Sequence, residues 1–269
     1  MAVQAPLRVE ADVDGSRFVE LGGTPVQVFN REEFLRERLD YKTGEHVSIL
    51  GPTQIAGKTR LMFDLLGAID TSEMSHPPVM LVAKPRDRTV AAGVAKLGWQ
   101  ETPDWPPRRK WWRPKPNGYA YWPPHLRGVE TSANNDYLAY KFGMAVDDLF
   151  WRGDGLLVAD ELYHLFAVFR MQPEMNRHLT QGQGMGAGIM FGTQRPGGTQ
   201  QGGLSGFVFN SPTHTFVARD PVKSNQKKLG DIGGVDNDIT EDAARRLPPF
   251  WWLYIHRAGP KLCVIEKGR

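Results

Sequence analysis

Largely apolar runs recur along the chain, and they are typical of strands buried on both faces of a parallel sheet. They occupy residues 45–50, 78–83, 156–159, 188–192 and 213–218. Between two of these runs, apolar residues recur at helical spacing, at Leu138, Phe142, Ala145 and Leu149. The alternation of strands and helices predicts an α/β fold with a mainly parallel central sheet.

The ends of the chain predict additional β structure. Segments 17–21 and 25–29 flank Gly22-Gly23, which indicates a hairpin. Asn30 followed by Glu33 resembles the capping box of a short helix, and segments 251–255 and 261–265 predict a closing hairpin. We therefore divide the chain into a small β-rich N-terminal addition, residues 1–40, and one large α/β domain, residues 41–269.

Residues 99–130 interrupt this pattern with a Trp/Pro-rich insertion. Its prolines argue against a long helix or a central strand. Basic residues interleaved with tryptophans can grip a nucleic-acid backbone and stack on bases. We favour the other interpretation, that the tryptophans pack an irregular insertion against the sheet, because tryptophan is mostly buried in folded proteins. The tryptophans are Trp99, Trp105, Trp111, Trp112 and Trp122.

The first apolar run leads into a glycine-bounded loop, Gly-Lys-Thr and a helix, which is the context of a phosphate-binding Walker A loop. Backbone N–H groups there would point at the phosphates of ATP, Lys58 would reach the β- and γ-phosphates, and Thr59 would hold Mg²⁺. The alternative is a plain Gly/Pro turn with a solvated lysine. The candidate nucleotide-binding residues are Gly51, Pro52, Thr53, Gln54, Ile55, Ala56, Gly57, Lys58, Thr59 and Arg60.

The loop departs from the usual spacing. Five residues separate Gly51 from Gly57, whereas the standard motif has four. Either the loop carries a one-residue bulge, or Pro52 occupies the position of the first glycine.

The run Leu156–Ala159 ends in Asp160 and Glu161, as a Walker B strand does. Carboxylates at the carboxyl end of such a strand lie where open α/β sheets bind ligands. Asp160 would hold Mg²⁺ through its water shell, and Glu161 would orient and polarise the attacking water.

A third motif, Thr193-Gln194-Arg195-Pro196, follows the run 188–192. With it the chain resembles the FtsK/HerA superfamily of P-loop DNA-translocating ATPases, and small phage or mobile-element members of packaging type look closest. The resemblance covers roughly residues 41–257. It implies a RecA-like domain of the additional-strand, catalytic-glutamate type, with Gln194 as the residue that senses the γ-phosphate.

The resemblance also implies a ring, usually a hexamer, in which an arginine of the neighbouring subunit completes the site. Residues 181–187, where that arginine is common, contain none. Arg177 is our first candidate, followed by Arg170 and Arg195. The glycine-rich stretches 181–188 and 196–206 are expected to be mobile loops. Residues 196–203 could either contact DNA phosphates or form a disordered surface loop.

The composition excludes some classes of protein but does not itself indicate a function. The net charge of +3 is only mildly basic and does not by itself indicate a nucleic-acid partner. The single cysteine, Cys263, excludes an internal disulfide and a cysteine-based zinc site. No apolar segment has the length that spans a bilayer, so we expect a cytoplasmic protein with no membrane partner, in the host cytoplasm if it is phage-encoded.

These observations predict an ATP-hydrolysing motor that translocates double-stranded DNA as a ring, for viral genome packaging or DNA transfer. A capsid/portal or transfer complex would be its docking partner. Two alternatives remain. A single-strand helicase or recombination-type ATPase would use the Trp/Arg insertion for stacking. A nucleotide-binding assembly protein with little turnover would explain the irregular Walker A loop and the missing arginine.

Overall fold

A computed structural model describes residues 7–52, 56–108, 114–194, 206–230, 232, 234–259 and 261–268. Within these ranges the chain forms one twelve-stranded sheet and eight α-helices. The strands are β1 (Glu10–Ala11), β2 (Arg17–Leu21), β3 (Thr24–Phe29), β4 (Val47–Leu50), β5 (Val79–Leu81), β6 (Gln100–Thr102), β7 (Tyr119–Tyr121), β8 (Gly155–Ala159), β9 (Ala187–Thr193), β10 (His214–Ala218), β11 (Trp252–His256) and β12 (Lys261–Ile265). The helices are α1 (Arg31–Glu37), α2 (Lys58–Ala68), α3 (Arg88–Lys96), α4 (Thr131–Arg152), α5 (Gln172–Gln181), α6 (Phe207–Asn210), α7 (Lys223–Gly230) and α8 (Asn237–Arg246).

The centre of the sheet is parallel, as the sequence predicts. The strand order is β1-β2-β3-β12-β11-β10-β4-β9-β8-β5-β7-β6, and the neighbours from β10 to β6 all pair in parallel. Strand β9 lies between β4, which leads into the phosphate loop, and β8, which leads into Asp160 and Glu161. A strand inserted between these two is what the additional-strand class requires, so the predicted fold class is confirmed.

Helices cover both faces of this parallel region. Successive residues of a strand point to opposite faces. On β8, Leu156 and Val158 share a core with residues of α2 and α3, whereas Leu157 and Ala159 share a core with residues of α4 and α5. All of β8 is buried. This two-sided burial explains the continuous apolar runs in the sequence.

The predicted N-terminal hairpin, β2 with β3, continues the main sheet. Strand β3 pairs in parallel with β12. Helix α1 begins as expected, because the Asn30 side chain accepts a hydrogen bond of 2.9 Å from the Glu33 N–H. Phe34 of this helix is fully buried and meets the rings of Phe216 and Tyr254 edge-on. The division at residue 40 stays a prediction, and strand pairing joins the two parts.

Residues 99–130 require a correction. The prolines predict no central strand, yet β7 lies between β5 and β6 and pairs with both. The prediction is wrong because the prolines are confined to the connections, and neither Tyr119–Tyr121 nor Gln100–Thr102 contains one. Their backbone N–H groups therefore remain available for the sheet.

The tryptophans of this segment pack against the sheet, as we favoured. Trp99 is buried. The Trp105 indole N–H donates to Asp148 Oδ2 at 2.9 Å, and the Trp122 indole N–H donates to the Lys84 carbonyl oxygen at 2.7 Å. Two tryptophans lie outside the described residues, Trp111 and Trp112.

Residues 181–188 were expected to form a mobile loop; the structure shows a tight turn between a helix and a strand instead of a loop, and their mobility stays a prediction. Helix α5 ends at Gln181, residues Gln183–Met185 form a 3-10 turn, and β9 begins at Ala187. A Cβ on Gly182 would lie 2.4 Å from the His178 carbonyl oxygen, so glycine is what permits this tight turn. Of the second glycine-rich stretch, 196–206, only residue 206 is described.

Two further expectations concern the cysteine and membrane spanning. Cys263 is a buried free thiol, and burial raises the pKa of this thiol to about 12. Among the described residues, no helix combines the length and the apolar character that crossing a membrane requires.

Gly192→Ala tests the close contact between β9 and the end of β8. A Cβ at this position would lie 2.5 Å from the Asp160 carbonyl oxygen, so one strand must shift. We expect the variant to lose about 1–3 kcal/mol of unfolding free energy, the usual cost of overpacking, in urea denaturation. The matched control is Gly143→Ala in α4, where nothing lies within 4 Å of the new Cβ; it should gain roughly 0.5–1 kcal/mol. Equal stability of the two variants would contradict the contact.

Candidate functional site

The loop that the sequence assigns to phosphate binding lies where β4 meets α2. Gly51 follows β4 and donates its N–H to the Thr193 carbonyl oxygen at 3.2 Å. Gly57 has a φ of 73°, a left-handed conformation that glycine adopts without strain, and Lys58 begins α2. A Cβ on Gly57 would also lie 2.9 Å from the Phe250 ring. Three loop residues lie outside the described ranges, namely Thr53, Gln54 and Ile55. How the loop accommodates its extra residue therefore stays a prediction.

Lys58 is folded back onto the loop. Its Nζ donates to the carbonyl oxygens of Gly51 at 2.9 Å and Pro52 at 3.3 Å, and the residue is only 8% exposed. Burial lowers the pKa of its ammonium group, and the negative charges of Glu161 and Asp160 oppose that shift. Because both hydrogen-bond partners are neutral, a phosphate entering the loop would offer a stronger, charge-assisted partner.

Thr59 and Asp160 form a pair of oxygen donors. The Thr59 hydroxyl donates to Asp160 Oδ1 at 2.7 Å, across the gap between the first turn of α2 and the end of β8. A hydroxyl and a carboxylate side by side suit Mg²⁺, which takes oxygen ligands and keeps several of its waters. The donor set therefore fits the metal that the sequence predicts at these two residues.

Glu161 and Gln194 meet beside that pair. The Gln194 side-chain amide donates to Glu161 Oε2, while Glu161 Oε1 is buried and accepts no hydrogen bond from the described residues. Burial raises the pKa of Glu161, and Lys58 and the Gln194 hydrogen bond oppose the increase. A carboxylate with raised proton affinity and a free oxygen can accept a hydrogen bond from a water.

Lys84 and Asp87, which the sequence analysis missed, also reach this site. Lys84 Nζ lies 3.0 Å from Asp87 Oδ2 and 3.8 Å from Asp160 Oδ2. The signal was present, because Lys84 directly follows a run that forms the parallel strand β5, and parallel strands end at one edge of the sheet. Both residues line a cavity of about 250 Å³ with the predicted residues Pro52, Gly57, Lys58, Thr59, Arg60, Asp160, Glu161 and Gln194.

The arginine candidates lie elsewhere or cannot be placed. Arg177 on α5 is ion-paired with Asp147, and its guanidinium lies 4.5 Å from the centroid of the Phe150 ring. The adjacent His178 contacts the carbonyl of Gly188 near the start of β9, so Arg177 lies towards the sheet edge opposite its own Gln194. Arg170 is exposed and is not among the residues that line the cavity, and Arg195 lies outside the described residues.

The inserted strand and the residues at its end define an additional-strand P-loop NTPase fold. No family model matches the chain, and no curated protein matches its sequence. The genome packaging NTPase B204 of Sulfolobus turreted icosahedral virus 2 with ATPγS is similar in structure, with a TM-score of 0.55 and 14% identity over 84% of this chain and 99% of that one. B204 of Sulfolobus turreted icosahedral virus, a DNA-packaging ATPase, gives a TM-score of 0.52 and 13% identity over 85% and 100%. The resemblance to packaging-type P-loop ATPases is thus confirmed at the level of the fold.

Lys58→Met tests whether Lys58 is needed for nucleotide binding, and its effect on binding can be measured separately from its effect on the stability of the nucleotide-free protein. Methionine is similar in length but leaves the carbonyl oxygens of Gly51 and Pro52 without their donor, so we expect the unfolding free energy without nucleotide to fall by roughly 1–3 kcal/mol. The rise in Tm on adding Mg²⁺-ATP, which ligand binding gives the wild type, should disappear in differential scanning fluorimetry. Lys96→Met, at a lysine whose side chain is 74% exposed, should keep it. A full ATP-dependent shift in Lys58→Met would refute the assignment.

Proposed function

We propose that this chain is an ATP hydrolase that translocates double-stranded DNA as a ring, most simply in viral genome packaging or DNA transfer. The observation that carries the proposal is the contact between Gln194 and Glu161 beside the Thr59–Asp160 pair. A phosphate site needs only the loop and Lys58. A partly buried carboxylate held by a polar side chain from the neighbouring strand serves hydrolysis, which needs an oriented water.

Each residue has a distinct role in this proposal. The free backbone N–H groups of the loop before α2 and of the first turn of α2, together with the Lys58 ammonium, bind the phosphates. Thr59 and Asp160 would hold Mg²⁺, which would supply positive charge to offset that of the phosphates. Glu161 accepts a hydrogen bond from the attacking water through its free oxygen.

Gln194 links hydrolysis to movement in this proposal. Its amide donates to Glu161, and a γ-phosphate in the pocket would compete for the same amide. The glycine-rich stretch 196–206 begins two residues further along the chain. A change of hydrogen-bond partner at Gln194 is therefore adjacent in sequence to residues 196–203, which we propose contact DNA phosphates.

The fold supports the choice of DNA as the substrate. B204, whose fold this chain shares, is described as a genome packaging NTPase and has been solved with ATPγS and AMPPCP. We propose by analogy that this chain binds ATP and acts on duplex DNA in the cytoplasm, docked to a capsid/portal or transfer complex.

Glu161→Gln is the primary test of the proposal. We expect purified wild-type protein to hydrolyse ATP faster with double-stranded DNA than alone. The variant should bind Mg²⁺-ATP but lose about 10²- to 10⁴-fold in kcat, the usual contribution of a general base. Phosphate release assays and nucleotide-binding titrations measure the two quantities.

Glu32→Gln is the matched control, because Glu32 is an exposed carboxylate on α1, and it should retain wild-type turnover. Stimulation only by single-stranded DNA would favour the helicase alternative. ATP binding without turnover under any of these conditions would refute the motor and favour an assembly role.

Arg177→Ala tests the arginine in trans. If Arg177 acts on the neighbouring subunit, the variant should lose about 10³-fold or more in kcat, as removal of an arginine finger does. Mixing it with Glu161→Gln should restore part of the activity, because some interfaces then combine an intact Glu161 with an intact Arg177. Arg152→Ala, which removes an ion pair with Asp148 on α4, should leave turnover intact. Full activity of Arg177→Ala would contradict the assignment and point to a cation within the subunit, with Lys84 as the candidate.

A further inference from the structure

A second polar cluster lies at the opposite edge of the sheet from the nucleotide pocket. It consists of Glu45, His214 and His256. Gly51 lies six positions after Glu45, which is roughly 20 Å of extended chain at ~3.3 Å per residue. The cluster therefore contributes nothing to the phosphate site, and the inference drawn from it does not depend on the proposed function.

Strand register brings the three side chains to one face. His214 opens β10 and pairs with His256 of the antiparallel strand β11 and with Val47 of the parallel strand β4. Glu45 lies two residues before Val47, and residues two apart point to the same face. Three segments that are far apart in sequence thus deliver two imidazoles and a carboxylate to one point.

The geometry of the cluster is close to that of a metal site. The candidate ligand atoms of the three residues all lie within 4.8 Å of one another. His214 Nε2 and Glu45 Oε2 are 2.8 Å apart, and the rings of His214 and His256 have centroids 4.8 Å apart. In a tetrahedral zinc site, bonds of about 2.0–2.2 Å place two ligand atoms about 3.3 Å apart. Side-chain adjustments of about an ångström would therefore suffice.

The outer hydrogen bonds of the histidines also fit. The ring nitrogen of His214 that faces away from Glu45, Nδ1, lies 2.9 Å from the Tyr254 hydroxyl. His256 Nδ1 lies 3.4 Å from the Gly259 carbonyl oxygen, which leaves its Nε2 as the ligand. Metal-binding histidines almost always donate their second ring N–H in this way, which fixes the tautomer and ring orientation.

We propose that Glu45, His214 and His256 bind one divalent transition-metal ion of the Zn²⁺ class, with water completing the coordination. Two imidazoles and a carboxylate are a recurrent ligand set for zinc. His214 is fully buried and the Glu45 side chain is only 12% exposed, whereas His256 is partly exposed and gives access from solvent. The metal would crosslink the segment before β4 to β10 and β11.

Metal titration of nucleotide-free, chelator-treated full-length protein tests the site. Calorimetry with Zn²⁺ should show one equivalent bound, and Co²⁺ should give the visible absorption of a four- or five-coordinate centre. His256→Gln and Glu45→Gln each remove a ligand without placing a new group in the core. Each should weaken binding by at least about 100-fold, since even outer-sphere changes cost 10–100-fold.

Three further variants make the outcome decisive. His256→Cys keeps a zinc ligand at the same position and should retain stoichiometric binding. His76→Gln, at a histidine outside the cluster, should bind like the wild type, and so should Asp160→Asn, which alters the nucleotide pocket. Circular dichroism confirms that every variant is folded. The proposal is overturned if the wild type binds no Zn²⁺ stoichiometrically, or if binding survives unchanged in both His256→Gln and Glu45→Gln.

Discussion

The parallel pairing of β9 between β4 and β8 is the constraint on which the nucleotide site depends. Leu50 pairs with Thr193, so β4 and β9 end level with each other, and β8 ends two residues earlier, where Ala159 pairs with Phe191. A shift by one residue would turn every side chain of β9 to the other face. The register is held by burial on both faces and by the close approach of Gly192 to the Asp160 carbonyl.

This shared edge explains the electrostatics of the site. One ammonium, Lys58, and two carboxylates, Asp160 and Glu161, are brought together where solvent is partly excluded. Burial lowers the pKa of Lys58 and raises that of Glu161, because it disfavours the charged form of each, and the attraction between these two groups opposes both shifts. Such groups are costly for stability and effective for chemistry, which is the usual signature of a functional site.

Sequence predicts the parts of this molecule whose signal is local. The sequence correctly predicts the strand Leu156–Ala159, the Asn30 cap and the order of the three motifs, because each depends on neighbouring residues. The strands Gln100–Thr102 and Tyr119–Tyr121 are too short to show a period, and the prolines beside them mislead. The apolar run before Lys84 marks this residue as lying at a strand end, but whether that strand lies near β8 depends on the strand order, which a single sequence does not contain.

The cluster of Glu45, His214 and His256 also depends on strand order, so the sequence alone did not predict it. Contacts at both ends of β4 hold this strand in place. Towards its carboxyl end, Gly51 donates to Thr193 of β9. Before its amino end, Glu45 contacts His214 of β10. A strand that must present a phosphate loop at a fixed height gains from being held against both neighbours, because movement along its axis would misplace Lys58. A metal at the Glu45 end would strengthen that hold without touching the nucleotide.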